Sequence, residues 1–157
     1  MMWVNRAGMK SVYLDYYLSN SRIYLPWEGF QRDLRLLQDL SEYKTLVVEE
    51  KGDCNRTTIS NLAGQLLSFC CGMSIGDYVL IPHVKSRAYT LAKISGQYEF
   101  NPKDKMQLWH SHKIDQIQNN IPREIFSQSM QYSLGAFRTI FKIKNEDECL
   151  ATIAKYK

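Results

Sequence analysis

Apolar and polar positions alternate most clearly in the second half of the chain, between Met73 and Lys144. Tyr78-Val79-Leu80-Ile81 is an apolar run of strand length behind a Gly76-Asp77 turn, and Pro82 is expected to stop it. Arg87 to Ile94 alternates loosely, and Gly96 marks a bend before Tyr98-Glu99-Phe100. Leu108 to Ile117 alternates well, with Leu108, His110, His112 and Ile114 on one face and Trp109, Ser111 and Lys113 on the other. Phe137, Thr139, Phe141 and Ile143 alternate against Arg138, Ile140, Lys142 and Lys144, which predicts a half-buried last strand. Strands in succession with turn signals between them predict a small barrel-like sheet.

The first seventy residues read differently. Trp3 to Gly8 is a short strand ending at a glycine turn, and Arg22 to Trp27 is β-prone up to Pro26. Ser11 is placed to cap a helix through about Ser19, and Asp33 one over Leu34 to Leu40. Ser41 to Arg56 shows no clear period, broken by Gly52-Asp53. The clearest helix begins at Thr57 or Thr58, where Ile59, Leu62, Ala63, Leu66, Phe69 and Cys70 form one apolar stripe that Gly72 ends. Glu146 to Tyr156 reads as a short terminal helix. The expected class is α+β: a curved barrel-like sheet with flanking helices, in one domain over 157 residues.

Composition narrows this little. Hydrophobic content of 45% with 23% charged residues is that of an ordinary globular chain, and no apolar run reaches the roughly 20 residues that cross a bilayer. A soluble, cytoplasmic protein is the expectation. Cys54, Cys70, Cys71 and Cys149 make no CxxC spacing and read as reduced, mostly buried thiols. A net charge of +4 permits an acidic partner without establishing one. Ten tyrosines and three tryptophans against six phenylalanines weigh more, because rings with a polar handle suit base stacking as well as core edges.

Catalytic motifs are scarce. Glu49-Glu50-Lys51 contains the acid-x-Lys half of a metal-dependent nuclease site, but no second carboxylate stands at a suitable place, so a solvated patch is the better reading. His110-x-His112 sets two imidazoles on one strand face without a third ligand, which favours packing or hydrogen bonding over a metal. Neither a GxSxG elbow nor a glycine-rich phosphate loop occurs. No cofactor and no metal are expected, and a non-catalytic module is. Basic residues do interleave with aromatics: Arg22 with Tyr24 and Trp27, Lys85 and Arg87 with Tyr89, Lys113 after Trp109, Arg123 before Phe126. Cations there can meet phosphates while flat rings take bases, although the same residues would equally solvate a β-rich surface.

The order of motifs tips that balance. Trp3-Val4-x-Arg6-Ala7-Gly8, a strand ending near Trp27, a helix before Ser74-Ile75-Gly76-Asp77-Tyr78-Val79, Ile94-Ser95-Gly96-Gln97-Tyr98-Glu99, His110 to Ile117, Ile121-Pro122-Arg123 and Tyr132-Ser133-Leu134-Gly135-Ala136-Phe137-x-Thr139 follow one another. Together they resemble the N-terminal domain of Mrr-type restriction endonucleases, an EVE-like member of the PUA superfamily. The resemblance implies a DNA-binding module of a restriction or defence system. It would flip a modified base, such as 5-methylcytosine, into an aromatic pocket. Carried over by position, it implies a pocket of Trp27, Tyr24, Trp3, Tyr98 and Ser133, with Arg6, Arg22, Lys85, Arg87, Lys113 and Arg123 toward the nucleic-acid backbone. For Trp3 and Trp109, core packing is the competing reading.

In that family a metal-dependent nuclease domain usually follows the reader, and these 157 residues contain none, so targeting without cleavage is expected, with a nuclease domain or subunit as partner. RNA is the alternative ligand, because related PUA and YTH domains also read it. A nuclease using Glu49 and Lys51, or a metal on His110 and His112, is the weaker alternative.

Overall fold

A computed structural model describes residues 1–52 and 54–156. Among the described residues seven strands form one mixed sheet: β1 (Met2–Asn5), β2 (Arg22–Tyr24), β3 (Tyr78–His83), β4 (Ala88–Ile94), β5 (Glu99–Phe100), β6 (His110–Pro122) and β7 (Ile140–Lys142). Their order is β2-β6-β4-β3-β1-β7, with β5 paired to the start of β6. Only β1 and β3 run parallel; every other pairing is antiparallel. Five α-helices among the described residues flank the sheet: α1 (Leu14–Asn20), α2 (Leu40–Lys51), α3 (Arg56–Leu67), α4 (Gln128–Leu134) and α5 (Glu146–Tyr156). The class is α+β, a curled barrel-like sheet with flanking helices.

Both faces of the central strands are buried, which explains their unbroken apolar runs. Trp3, Val79 and Ile81 point into a core built with α1, α2 and α3 around Tyr17, Tyr43, Leu46, Leu66 and Phe69. The alternate positions Met2, Val4 and Leu80 join a second core with Phe126, Met130, Leu134, Phe141, Cys149 and Ile153. Sheet alternation thus divides one set of strands between two cores.

Several boundaries differ from the sequence reading, each for a local reason. Asp33 does cap a helix, accepting from Arg35 N at 3.0 Å, but only one 3₁₀ turn over Leu34–Leu36. Asp39 then caps α2, which lies where the sequence shows no clear period; Tyr43, Leu46 and Val47 supply its narrow buried stripe. Helix α3 begins at Arg56, one residue before the predicted Thr57, with Asn55 as its cap, accepting from Thr58 N at 2.8 Å. Pro82 does not end β3; it pairs opposite Tyr89 and the strand continues to His83. Strand β6 runs to Pro122, five residues past the predicted Ile117. Gly8 (φ 82°) turns the chain after β1, where a Cβ would meet Tyr13 Cδ2 at 2.8 Å. Ser11 caps nothing; its hydroxyl donates to Pro82 O and accepts from Val84 N.

The curl brings the sheet's ends together. Asn5 Nδ2 and the Tyr17 hydroxyl both donate to Tyr24 O, at 3.1 and 2.9 Å, so the end of β2 sits against the end of β1. Past β2, the Trp27 indole N–H donates to Thr139 Oγ1 at 3.2 Å, next to β7. The open edge strands are therefore tied by side chains, not by a ladder.

Candidate nucleic-acid interface

That tie frames a cleft. Trp27, half-buried, lines an open depression of about 760 Å³ together with Arg6, Lys10, Pro26, Lys51 and Phe137. Two elements define its rim. One is the loop after β1, where Lys10 and Ser11 take consecutive left-handed conformations (φ 55° and 58°). The other is the segment from Leu134 to Thr139, between α4 and β7.

This second segment is held by three side chains. Arg6 donates to Leu134 O (3.4 Å), Ala136 O (2.9 Å) and Arg138 O (3.1 Å). Gln65, from α3, accepts at Oε1 from both Thr139 N and Ile140 N at 3.0 Å. Trp27 completes the set through Thr139. The result is that Phe137, expected on the buried face of a strand, instead projects fully into solvent from a clamped loop. The predicted last strand is only three residues long, because Arg6 and Gln65 take the backbone groups that a longer ladder would use.

The other residues expected in the pocket do not gather around Trp27. Tyr24 is buried against Tyr16 and Tyr17, its ring centroids 5.3 and 5.2 Å from theirs. Trp3 is buried too; its indole donates to Asp77 Oδ2 at 3.0 Å, and Lys142 Nζ lies 5.5 Å from its ring centroid. Tyr98 belongs to a buried chain: Leu34 N donates to its hydroxyl, which donates to His110 Nδ1, while His110 Nε2–H donates to Phe30 O at 2.7 Å. Burial pushes the Tyr98 hydroxyl up and the His110 imidazole down from their ordinary values. Large rings in a curled sheet fill its concave side before they can line a ligand site. Ser133 is exposed and lines a neighbouring cleft.

The expected backbone contacts sort in the same way. Arg22 is committed to Glu99 (2.5 Å) and Ser111 Oγ (3.1 Å), which locks β2, β5 and β6 together. Arg6 is committed to the loop carbonyls, and its burial lowers its pKa from the ordinary value. Lys113 is exposed on β6, opposite Arg22 in register. Lys85 lies in the β3–β4 turn. Arg87 and Arg123 do come together, joined by Arg123 N donating to Arg87 O at 2.9 Å and lining one cleft.

The histidine pair is structural. His112 has Phe69 O at 2.7 Å from Nε2 and Gly96 O at 3.0 Å from Nδ1, so the four ring nitrogens of the pair all have protein partners. Among the described residues no group of three or more His, Cys, Asp or Glu is placed to hold a metal ion. Glu49 is exposed on α2 and pairs with Arg32 at 3.6 Å. Of the thiols only Cys149 is fully buried, which pushes it up to about 12; Cys71 is exposed.

What the site comprises, then, is a curled α+β sheet whose edges meet over an aromatic cleft with basic residues on its rim. The chain belongs to the family described as a domain of unknown function (DUF8426), whose match covers residues 2–144. Neither a curated protein nor a solved structure matches it. The matched span includes both the Trp27 cleft and the Leu134–Thr139 loop and stops before α5.

Proposed function

We propose that this domain is a nucleic-acid reader that takes an unpaired, modified DNA base, such as a methylated cytosine, against the ring of Trp27. The single observation that carries this is the fixed, half-exposed indole lining a 760 Å³ cleft with Arg6, Lys10 and Lys51 nearby. A ring already held by its hydrogen bond to Thr139 loses little freedom on binding, so stacking contributes to affinity in full. An added methyl group gains apolar contact in such a cleft, and Lys10 and Lys51 supply charge for adjoining phosphates. The resemblance to the EVE-like domain of Mrr-type enzymes supports the same reading, with cleavage assigned to a partner domain or subunit. Of the expected cage aromatics, only Trp27 is available here, and Phe137 takes the second place at the rim.

The test is binding to duplexes that differ in one cytosine modification, with matched RNA as competitor. Preference for a modified duplex, lost in Trp27→Ala, supports the reading. Equal affinity for modified and unmodified duplexes defeats it, and stronger competition by RNA transfers the site to the RNA-binding alternative.

A further inference from the structure

Beside the Trp27 cleft, across the Phe137 loop, lies a second depression of about 490 Å³ between α4 and β7. Its cations are Arg123, Arg138, Lys144 and Lys142, whose Nζ also lies over the Trp3 ring, and among the described residues no carboxylate lines it. None of the four forms a salt bridge among the described residues. Tyr132 and Phe137, at 87% and 108% relative exposure, stand at the same depression. Two fully solvated rings are costly to leave in water, and neither supports the core. Four like charges without counterions repel one another as well. Both costs are relieved by a polyanion with flat, stackable faces.

We infer that this depression is a groove for the nucleic-acid strand that flanks the read base, with bases stacking on Tyr132 and Phe137 and phosphates paired with Arg123, Arg138, Lys142 and Lys144. The inference rests on the nucleic-acid part of the proposed function and is independent of base discrimination. Phe137 borders both depressions, so a strand leaving the Trp27 cleft meets the groove without a gap. Arg6 and Gln65 hold the loop that carries it, which fixes the backbone under the ring before a ligand arrives. An acidic peptide satisfies the charges and leaves the rings without planar partners, so a nucleic acid is the better fit. The groove also unites Ser133 and Arg123, two residues the sequence singles out for different roles.

The experiment measures anisotropy of a fluorescein-labelled, unmodified 12-nucleotide DNA strand with the full chain, across a salt series. Tyr132→Ala/Phe137→Ala alters exposed side chains and is expected to weaken binding by about tenfold or more, as loss of base stacking does. Lys142→Gln/Lys144→Gln is expected to flatten the salt slope by about 1.4, two single-strand phosphate contacts. Circular dichroism checks that both variants fold. Unchanged affinity and slope in both overturns the groove, as does equal binding of a poly-glutamate peptide that ignores the ring substitutions. Trp27→Ala separates the two readings. If modified-base preference depends on Trp27 while the groove variants bind like the wild type, the reader stands and the groove fails. If the groove variants weaken binding and no modification is preferred, the groove stands and base reading fails.

Discussion

The indole nitrogen of Trp27 and the hydroxyl of Thr139 lie 3.2 Å apart, although 112 residues separate them in the chain. This bond links the segment after β2 to the approach to β7, the two edge strands of the sheet. It orients the candidate stacking ring and anchors the loop that presents Phe137. Fold closure and site geometry share one contact.

Thr139→Val keeps the shape of the side chain and removes the acceptor. The variant is expected to lose about 1 kcal/mol of stability in urea denaturation, the usual cost of an unmet hydrogen bond. Preference for a modified base should fall with it, because the ring is no longer held. Wild-type stability and preference together would show that packing alone positions Trp27.

Gln65 accepts two backbone amides through one oxygen. Gln65→Leu leaves both without their partner, and Ile140 is buried, so a loss of about 3 kcal/mol is expected. Gln65→Glu retains an acceptor and should lose less. Hydrogen exchange at Thr139 and Ile140 checks the mechanism directly: both amides should exchange faster in the leucine variant.

Arg6 is expected to act on the ligand through the loop and not by touching phosphate. Arg6→Met should weaken nucleic-acid binding by about 1 kcal/mol, the cost of ordering loop side chains on binding, with the salt slope unchanged. Arg6→Lys should rescue little, because a point charge cannot span three carbonyls as a guanidinium does. A slope lower by about 0.9 in Arg6→Met would instead make it a phosphate contact on duplex DNA.

His110 gives the fold a pH dependence of defined sign. Burial lowers its pKa in the folded state, while the Phe30 carbonyl and Asp33 oppose that shift. The unfolded chain therefore binds protons more readily, with an ordinary value of about 6.5. Stability is full above that pH and falls as pH drops toward the lower folded value. His83, also lowered by burial, acts with the same sign in the same window. Urea midpoints between about pH 7.5 and 5.5 should fall, and His110→Gln should reduce the slope. An identical slope in the variant would refute the assignment.

Much of the fold was legible because local chemistry repeats it. The stripe of α3 and the alternation of β6 each record burial at a fixed period. Ser41 to Lys51 was not legible, since α2 buries only Tyr43, Leu46 and Val47 and solvates the rest. The pocket differs from its expectation for another reason. The resemblance assigns Tyr24, Trp3 and Tyr98 to a cage by their place in the motif order, but motif order does not say toward which side of a curled sheet a ring points.

By itself the sequence determined an α+β chain of short strands, a central helix, and a set of aromatics and cations. Only the tertiary structure decided which of them remain available. Hydrogen bonds between residues remote in sequence, Arg6 to Ala136 and Gln65 to Thr139, replace the end of a regular strand with a clamped loop. No local pattern encodes a backbone partner supplied from 74 or 130 residues away. For that reason Phe137, which alternation places in a core, stands in solvent between two clefts, and Arg6, which the resemblance directs to phosphate, is spent holding it there.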